Sequence, residues 1–280
     1  MKFKLANIIV FCIAFALCPP TGGEAMTAQD FQGTATYKSR RSIDLKMSSN
    51  KGMTDAMQKQ MEEQLKKQFE KTHTLNFNRT ESLYTEDEKL AAPSAPTGGM
   101  QIKISESQDI LYKNTSQKRY VRKEDVMGKI FLVKDSLEMP HWKMQKETKN
   151  IGQYTCYKAI WTKSEKHSTM DDGLELVDTL ITREIVAWYT PQIPVSNGPE
   201  DYWGLPGLIL EIQNGKQSIL CSEIVLNPKE AITIEAPDRG KEVNEANFKE
   251  IQDDKMKEWI ERNSTGNGKD GNITIKIGGS

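Results

Sequence analysis

Glu200 and Asp201 are the side chains best placed to do chemistry, because the two adjacent acids stand beside Tyr202 and Trp203. Paired carboxylates work as general acid and base when they flank a scissile bond, about 5–9 Å apart in glycoside hydrolysis. Acids beside aromatic rings equally suit a noncatalytic pocket, in which ring faces stack on an apolar or sugar ring and the carboxylates accept hydrogen bonds. Trp188 and Tyr189 lie a few residues upstream, so Trp188, Tyr189, Tyr202 and Trp203 are the candidate ligand-facing residues. The plainer role for the same rings is to anchor a loop in the core. The expectation is no catalytic residue, with Glu200 and Asp201 as the catalytic alternative.

Other chemistries find less support. His73, His141 and His167 lie in separate segments, and none has a histidine or carboxylate at the spacing of a His-Glu-x-x-His site. Asp171-Asp172 after His167 reads as a solvated loop, so neither metal nor cofactor is expected. There is no Gly-x-Ser-x-Gly elbow. Gly204 and Gly207 make no phosphate cradle, because Pro206 removes an amide and strand formers follow where a helix is needed.

Lys2 and Lys4 precede the apolar run Ala6 to Leu17, the layout of a secretory signal peptide over residues 1–25. That run is too short to cross a bilayer, and no later one is longer, so no transmembrane helix is expected in the mature chain. The expected location is the periplasm or the outside of the cell, with lipid attachment at Cys18 as an alternative. Cleavage removes Lys2, Lys4 and Glu24, which moves the net charge from −1 to −2. So even a balance argues against nucleic-acid binding, which needs a concentrated positive surface. Only Cys156 and Cys221 survive maturation. Two cysteines in an exported chain most simply form one disulfide, the alternative being two buried thiols. Closing a loop of about 65 residues is worth about 4 kcal/mol in chain entropy.

The elements that must position these residues centre on Ala187 to Ser222. An aromatic strand leads into a rigid loop with Pro194, Gly198, Pro199, Gly204, Pro206 and Gly207, and then into the apolar strand Leu208 to Ile212. Asn214-Gly215 predicts a hairpin returning to Cys221. Upstream, Asp30 to Met47 alternates, with Ile43, Leu45 and Met47 at period two. Met53, Met57, Met61, Leu65 and Phe69 recur every four residues and predict an amphipathic helix over 53–71. Thr74 to Tyr84 reads as strand and Glu86 to Gly99 as exposed loop. From Met100 to Trp161 short apolar runs alternate with turn residues, as in an antiparallel meander that includes Ile102 and Ile104. Ser164 to Leu174 reads as a polar loop, and Leu176 to Val186 as apolar again. Ser222 to Ile234 suggests further strand broken by Pro228, and Asn247 with Glu250 a capping box for a helix ending near Glu261. Ile273, Ile275 and Ile277 mark either an edge strand or an unstructured tail.

Gly204-Leu205-Pro206-Gly207-Leu208-Ile209 spells GLPGLI, and the segment resembles the signature of the GLPGLI family of exported proteins from the Bacteroidetes lineage. The resemblance extends through Ala187-Trp188-Tyr189-Thr190, Ile193-Pro194 and Gly198-Pro199, and to Cys156-Tyr157-Lys158-Ala159 and Glu81-Ser82-Leu83-Tyr84. It covers most of residues 31–235. The family is largely uncharacterised and brings no catalytic residues with it. It is similar to the N-terminal bowl-like domain that precedes the catalytic part of one class of bacterial peptide-N-glycosidases. The resemblance therefore implies a strongly curved antiparallel sheet whose concavity receives a glycan, peptide or lipid.

The expected fold is mainly β: a curved antiparallel meander or half-barrel with an amphipathic helix packed on it. Residues 26–240 form the β domain and 241–280 a helical, turn-rich extension. The expected role is noncatalytic binding of a glycan, peptide or lipid. A hydrolase acting on peptide or glycan, and a cell-envelope assembly factor with a protein partner, are the alternatives.

Overall fold

The computed structural model describes residues 31–41, 69–87, 110–170 and 176–264. The expectations for the signal peptide, for Ile43 to Met47, for the methionine stripe up to Leu65, for the Ala- and Pro-rich loop beyond residue 87, for Ile102 and Ile104, and for the tail beyond residue 264 lie outside these residues.

The described chain is mostly strand. In order these are β1 (Gly33–Arg41), β2 (Glu70–Phe77), β3 (Glu81–Glu86), β4 (Ile110–Asn114), β5 (Arg119–Val126), β6 (Lys129–Ser136), β7 (Lys143–Ile151), β8 (Tyr154–Met170), β9 (Leu176–Thr190), β10 (Leu208–Asn214), β11 (Gln217–Leu226) and β12 (Lys241–Val243), followed by helix α1 (Glu245–Ser264). All twelve strands join one sheet in the order β12-β6-β5-β4-β3-β2-β1-β11-β10-β9-β8-β7. Neighbours pair antiparallel except β12, which lies parallel to β6. The sheet is mixed for that reason, and it is not closed into a barrel.

Its curvature follows from the connectivity. β6 and β7 are consecutive in sequence yet stand ten places apart in the sheet. In a flat sheet that separation is about 48 Å at the usual strand spacing. The link between them, residues 137–142, reaches only about 24 Å even fully extended. The sheet has to curl until its two ends approach one another.

The curl encloses the main core. Leu208, Ile209, Leu210 and Ile212 of β10 are fully buried and pack with Tyr37, Leu75, Phe77, Ile185 and Ile219. A strand buried on both faces reads as a continuous apolar run, which is why β10 is the greasiest stretch of the described chain. At the far end Phe248 of α1 packs edge-on against Phe131 of β6, ring centroids 5.8 Å apart. Asn244 caps α1 by accepting the Asn247 amide at 2.9 Å.

Four local expectations are corrected. Glu70 and Lys71, placed at the end of the methionine helix, belong to β2, where they pair with Arg40 and Ser39. The strand expected over Thr74 to Tyr84 is two strands, because the Asn78 side-chain oxygen accepts the amides of Thr80 and Glu81 and turns the chain. Ser164 to Met170 is strand, not loop: cross-strand pairing with β9 supplies its backbone hydrogen bonds, and the hydroxyls of Ser164 and Thr182 meet at 3.0 Å. Helix α1 starts at Glu245 with Asn244 as its cap, so Asn247 lies in its first turn. One further adjustment concerns the hairpin: Asn214 is the last pairing residue of β10, and the turn is Gly215-Lys216 with Gly215 at φ 57°.

β8 and β9 run past their neighbours. β7 meets β8 only up to Ile160, and β10 meets β9 only from Ile185 onward. Beyond those points, among the described residues, β8 and β9 pair only with each other and form a two-stranded ribbon.

The Tyr37 hydroxyl, fully buried, donates to the Ile209 carbonyl at 2.7 Å and ties β1 to the start of β10. Tyr37→Phe removes that donor and leaves the carbonyl without it, so urea unfolding should show a loss of about 1–2 kcal/mol. A change within experimental error would mean that the contact is energetically idle.

Candidate functional site

The site grows out of the loop between β9 and β10, residues 191–207. The loop folds back along the start of β10: the Leu208 amide donates to Ile193 O and the Ile209 amide to Asn197 O, both at 3.0 Å. Ile193, Val195, Tyr202 and Leu205 are buried in the main core. The two signature glycines have different duties. Gly204 has φ 91°, in the left-handed region that side chains avoid. Gly207 is where backbones touch, since a Cβ there would lie 2.1 Å from Thr190 O. Gly198 is crowded in the same way by Ile209. Pro199 is buried within the loop, whereas Pro194 and Pro206 are exposed.

Lys113 of β4 holds the loop from the other side of the curl. Its side chain is fully buried, and Nζ donates to the carbonyls of Gly198 (2.8 Å), Glu200 (2.5 Å) and Tyr202 (3.4 Å). An ammonium has three donors, and each has one acceptor here. Burial depresses the lysine to about 7, with Asp201 and Glu200 pulling it back up. Sequence reasoning missed this residue. The readable signal was its place two positions after Leu111 in Ile110-Leu111-Tyr112-Lys113, which puts a charge on a face that otherwise turns inward.

Glu200, one of the two candidate acids, adopts φ 48° and turns its carboxyl inward, where Gln217 Nε2 donates to it at 2.7 Å. Burial, and secondarily Asp201, raises its pKa to about 7. Asp201, the other acid, is exposed. The structure thus sends the two carboxylates in different directions. Tyr84, at the edge of this region, is raised well above its ordinary value by burial and by Glu200, and its hydroxyl has no hydrogen-bond partner among the described residues.

The aromatic candidates are mostly load carriers. Trp203 is buried: Nε1 donates to Glu138 O at 2.9 Å, and its carbonyl accepts from Trp142 Nε1 at 2.7 Å. Those contacts bind the loop to the link between β6 and β7. Tyr202 is buried, and its hydroxyl accepts from Asn214 Nδ2 at 3.1 Å. Tyr189 is buried beside Tyr157, ring centroids 6.1 Å apart. Trp188 is half-buried with Lys149 Nζ 4.3 Å from its ring centre, and Lys149 also pairs with Glu211 at 2.6 Å. Cys156 and Cys221 are both buried in the main core cluster, as free thiols. Burial pushes them up to about 11 and about 12. Among the described residues no three His, Cys, Asp or Glu side chains converge as a metal site would require.

A family model described as a protein of unknown function (Porph_ging) matches residues 142–211, which span β7 to β10 with the loop. No curated protein matches the chain. Among solved structures, PNGF-II in space group C2 is similar at 14% identity and a TM-score of 0.45, covering 80% of this chain and 33% of that one. PNGF-II in space group P21 gives 13% and 0.43, with 79% and 32% covered. The chain therefore spans about a third of the length of those structures. A likeness of that size carries no inference about activity.

Two predictions follow from the lock. Lys113→Met keeps the volume but leaves three buried carbonyls without a donor, so it should cost about 3 kcal/mol in urea unfolding and make the 191–207 loop a protease target. Unchanged stability would show that the ammonium is dispensable. For Glu200 the folded value of about 7 lies above the ordinary 4.5, so its contribution to stability is present below pH 4.5 and is lost as pH rises through about 7. The stability difference between the wild type and Glu200→Gln, followed from pH 4.5 to pH 8, should move against the wild type. A difference that stays flat across that range contradicts the burial of the charge.

Proposed function

We propose that this chain is an exported, noncatalytic binding protein, in which the rigid loop 191–207 forms the lip of a curved sheet that receives a glycan, peptide or lipid. The supporting observation is that Lys113, Trp203 and Glu200 are committed to holding the loop itself, while Asp201 is exposed. Lys113 caps its carbonyls, Trp203 has its ring nitrogen and its carbonyl engaged, and Glu200 is held by Gln217. A loop fixed in this way is preorganised, which reduces the ordering cost of binding.

Export to the periplasm or beyond, with lipid attachment at Cys18 as the alternative, belongs to this proposal, as does kinship with GLPGLI proteins. So does a Cys156–Cys221 bridge. Its support is that two cysteines in an exported chain most simply pair; as free thiols in the core cluster both are poor nucleophiles.

A second reading, hydrolysis of a peptide or glycan, draws on the placement of Glu200. Its carboxyl is turned inward onto Gln217, and burial pushes it up to about 7, a value suited to general acid–base work.

One set of measurements separates the two. The mature protein and its Glu200→Gln and Asp201→Asn variants are screened against glycans, peptides and lipids for thermal shift and for product formation. Binding reads as a ligand-dependent rise in Tm, shared by the variants and without turnover. Reproducible turnover that disappears in Glu200→Gln would replace the binding reading with the hydrolase.

A further inference from the structure

We propose that the groove between the β5–β6 hairpin and α1 binds a single-chain amphiphile with an anionic head, of the long-chain carboxylate type. This rests on the reading of the chain as a binding protein and adds a site apart from the loop lip, with its own ligand class.

The groove has a volume of about 480 Å³, in the range of small-molecule sites. Val126, Phe131 and Ile251 give it an apolar floor. Lys129, Lys241 and Lys255 line it from three different elements, and Glu258 is its one acid. That glutamate pairs with Lys255 at 2.7 Å. Lys129 and Lys241 have no ion-pair partner among the described residues, and Lys129 Nζ sits 5.5 Å from the centre of the Phe131 ring. Two ammonium groups without an ion-pair partner among the described residues, beside an apolar floor, complement a ligand that is apolar along its length and negative at one end. The volume suits one chain.

The hairpin tip adds an independent observation. Met127 and Gly128 are the two turn residues, with φ 52° and 81°. Asn or Gly is the ordinary occupant of the first position, because a long side chain is strained there. The chain instead places a methionine, 62% exposed, at the wall of the groove. The turn is held regardless, since Asp125 Oδ1 accepts the Gly128 amide at 2.7 Å. A flexible thioether at backbone cost suits contact with an acyl chain of variable shape.

The test is calorimetric titration of the full mature chain with dodecanoate and with dodecyltrimethylammonium, which has the same chain and the opposite charge, both below their micelle concentrations. Dodecanoate should bind, and the cation should bind at least about tenfold more weakly. The double variant Lys129→Glu/Lys241→Glu should lose about tenfold or more in dodecanoate affinity. Met127→Asn relieves the turn strain, so it should keep or raise Tm while weakening dodecanoate severalfold. The proposal is overturned if the folded protein ignores dodecanoate, if the cation binds equally well, or if an acidic peptide displaces dodecanoate at lower concentration. It is also overturned if neither variant changes the affinity, and in that case the wider binding reading survives at another site. Ligand found only among glycans or peptides in the broader screen has the same meaning.

Discussion

The short link between β6 and β7 is the constraint from which the rest of the architecture follows. A sheet of this width would lie open if its end strands were joined through a long connection. Six residues force the ends together, and the space so enclosed has to be filled. The loop between β9 and β10 fills it. Trp142 Nε1 donates to the Trp203 carbonyl and Trp203 Nε1 donates to the Glu138 carbonyl, so the residues that close the curl also seat the loop. The same loop lies within residues 142–211, the stretch matched by the family model of unknown function.

Polar chemistry inside that closure is economical. A 17-residue loop without strand carries many backbone groups that water cannot reach. Much of the demand is met by Lys113 from β4, with further help from Ser196, whose Oγ accepts the Gly204 amide at 3.1 Å. Burying a cation is expensive unless every donor finds a partner, and here each does. Glu200 and Lys113 both hold values near 7, each displaced toward its neutral form by the same low-dielectric surroundings.

Much of the fold was readable because its signals are local. β10 announced itself through an unbroken apolar run, and the Gly204 to Gly207 corner through residue types with few conformational alternatives. The ribbon beyond Lys163 was not readable, since polar Ser, Thr and Lys become strand only when a partner strand supplies the hydrogen bonds. Nor was the curl, because strand order depends on pairings between distant residues. Of the site, Glu200 and the aromatic cluster were found by type, but their orientation was not. Large rings beside acids look the same in sequence whether they face a ligand or a core. Lys113 was hidden by its ordinariness: lysine is common, and only its strand register showed it pointing inward.

The paired extension of β8 and β9 past the rest of the sheet has a dynamic consequence. Among the described residues no third strand pairs with it, and a two-stranded ribbon is marginal by itself. Its amides should open and exchange with solvent in a sub-global event far below the global unfolding free energy, while those of β10 and β11 wait for the whole molecule. The protein thus carries a soft ribbon on a hard frame, and opening of the ribbon should leave the loop lock in place.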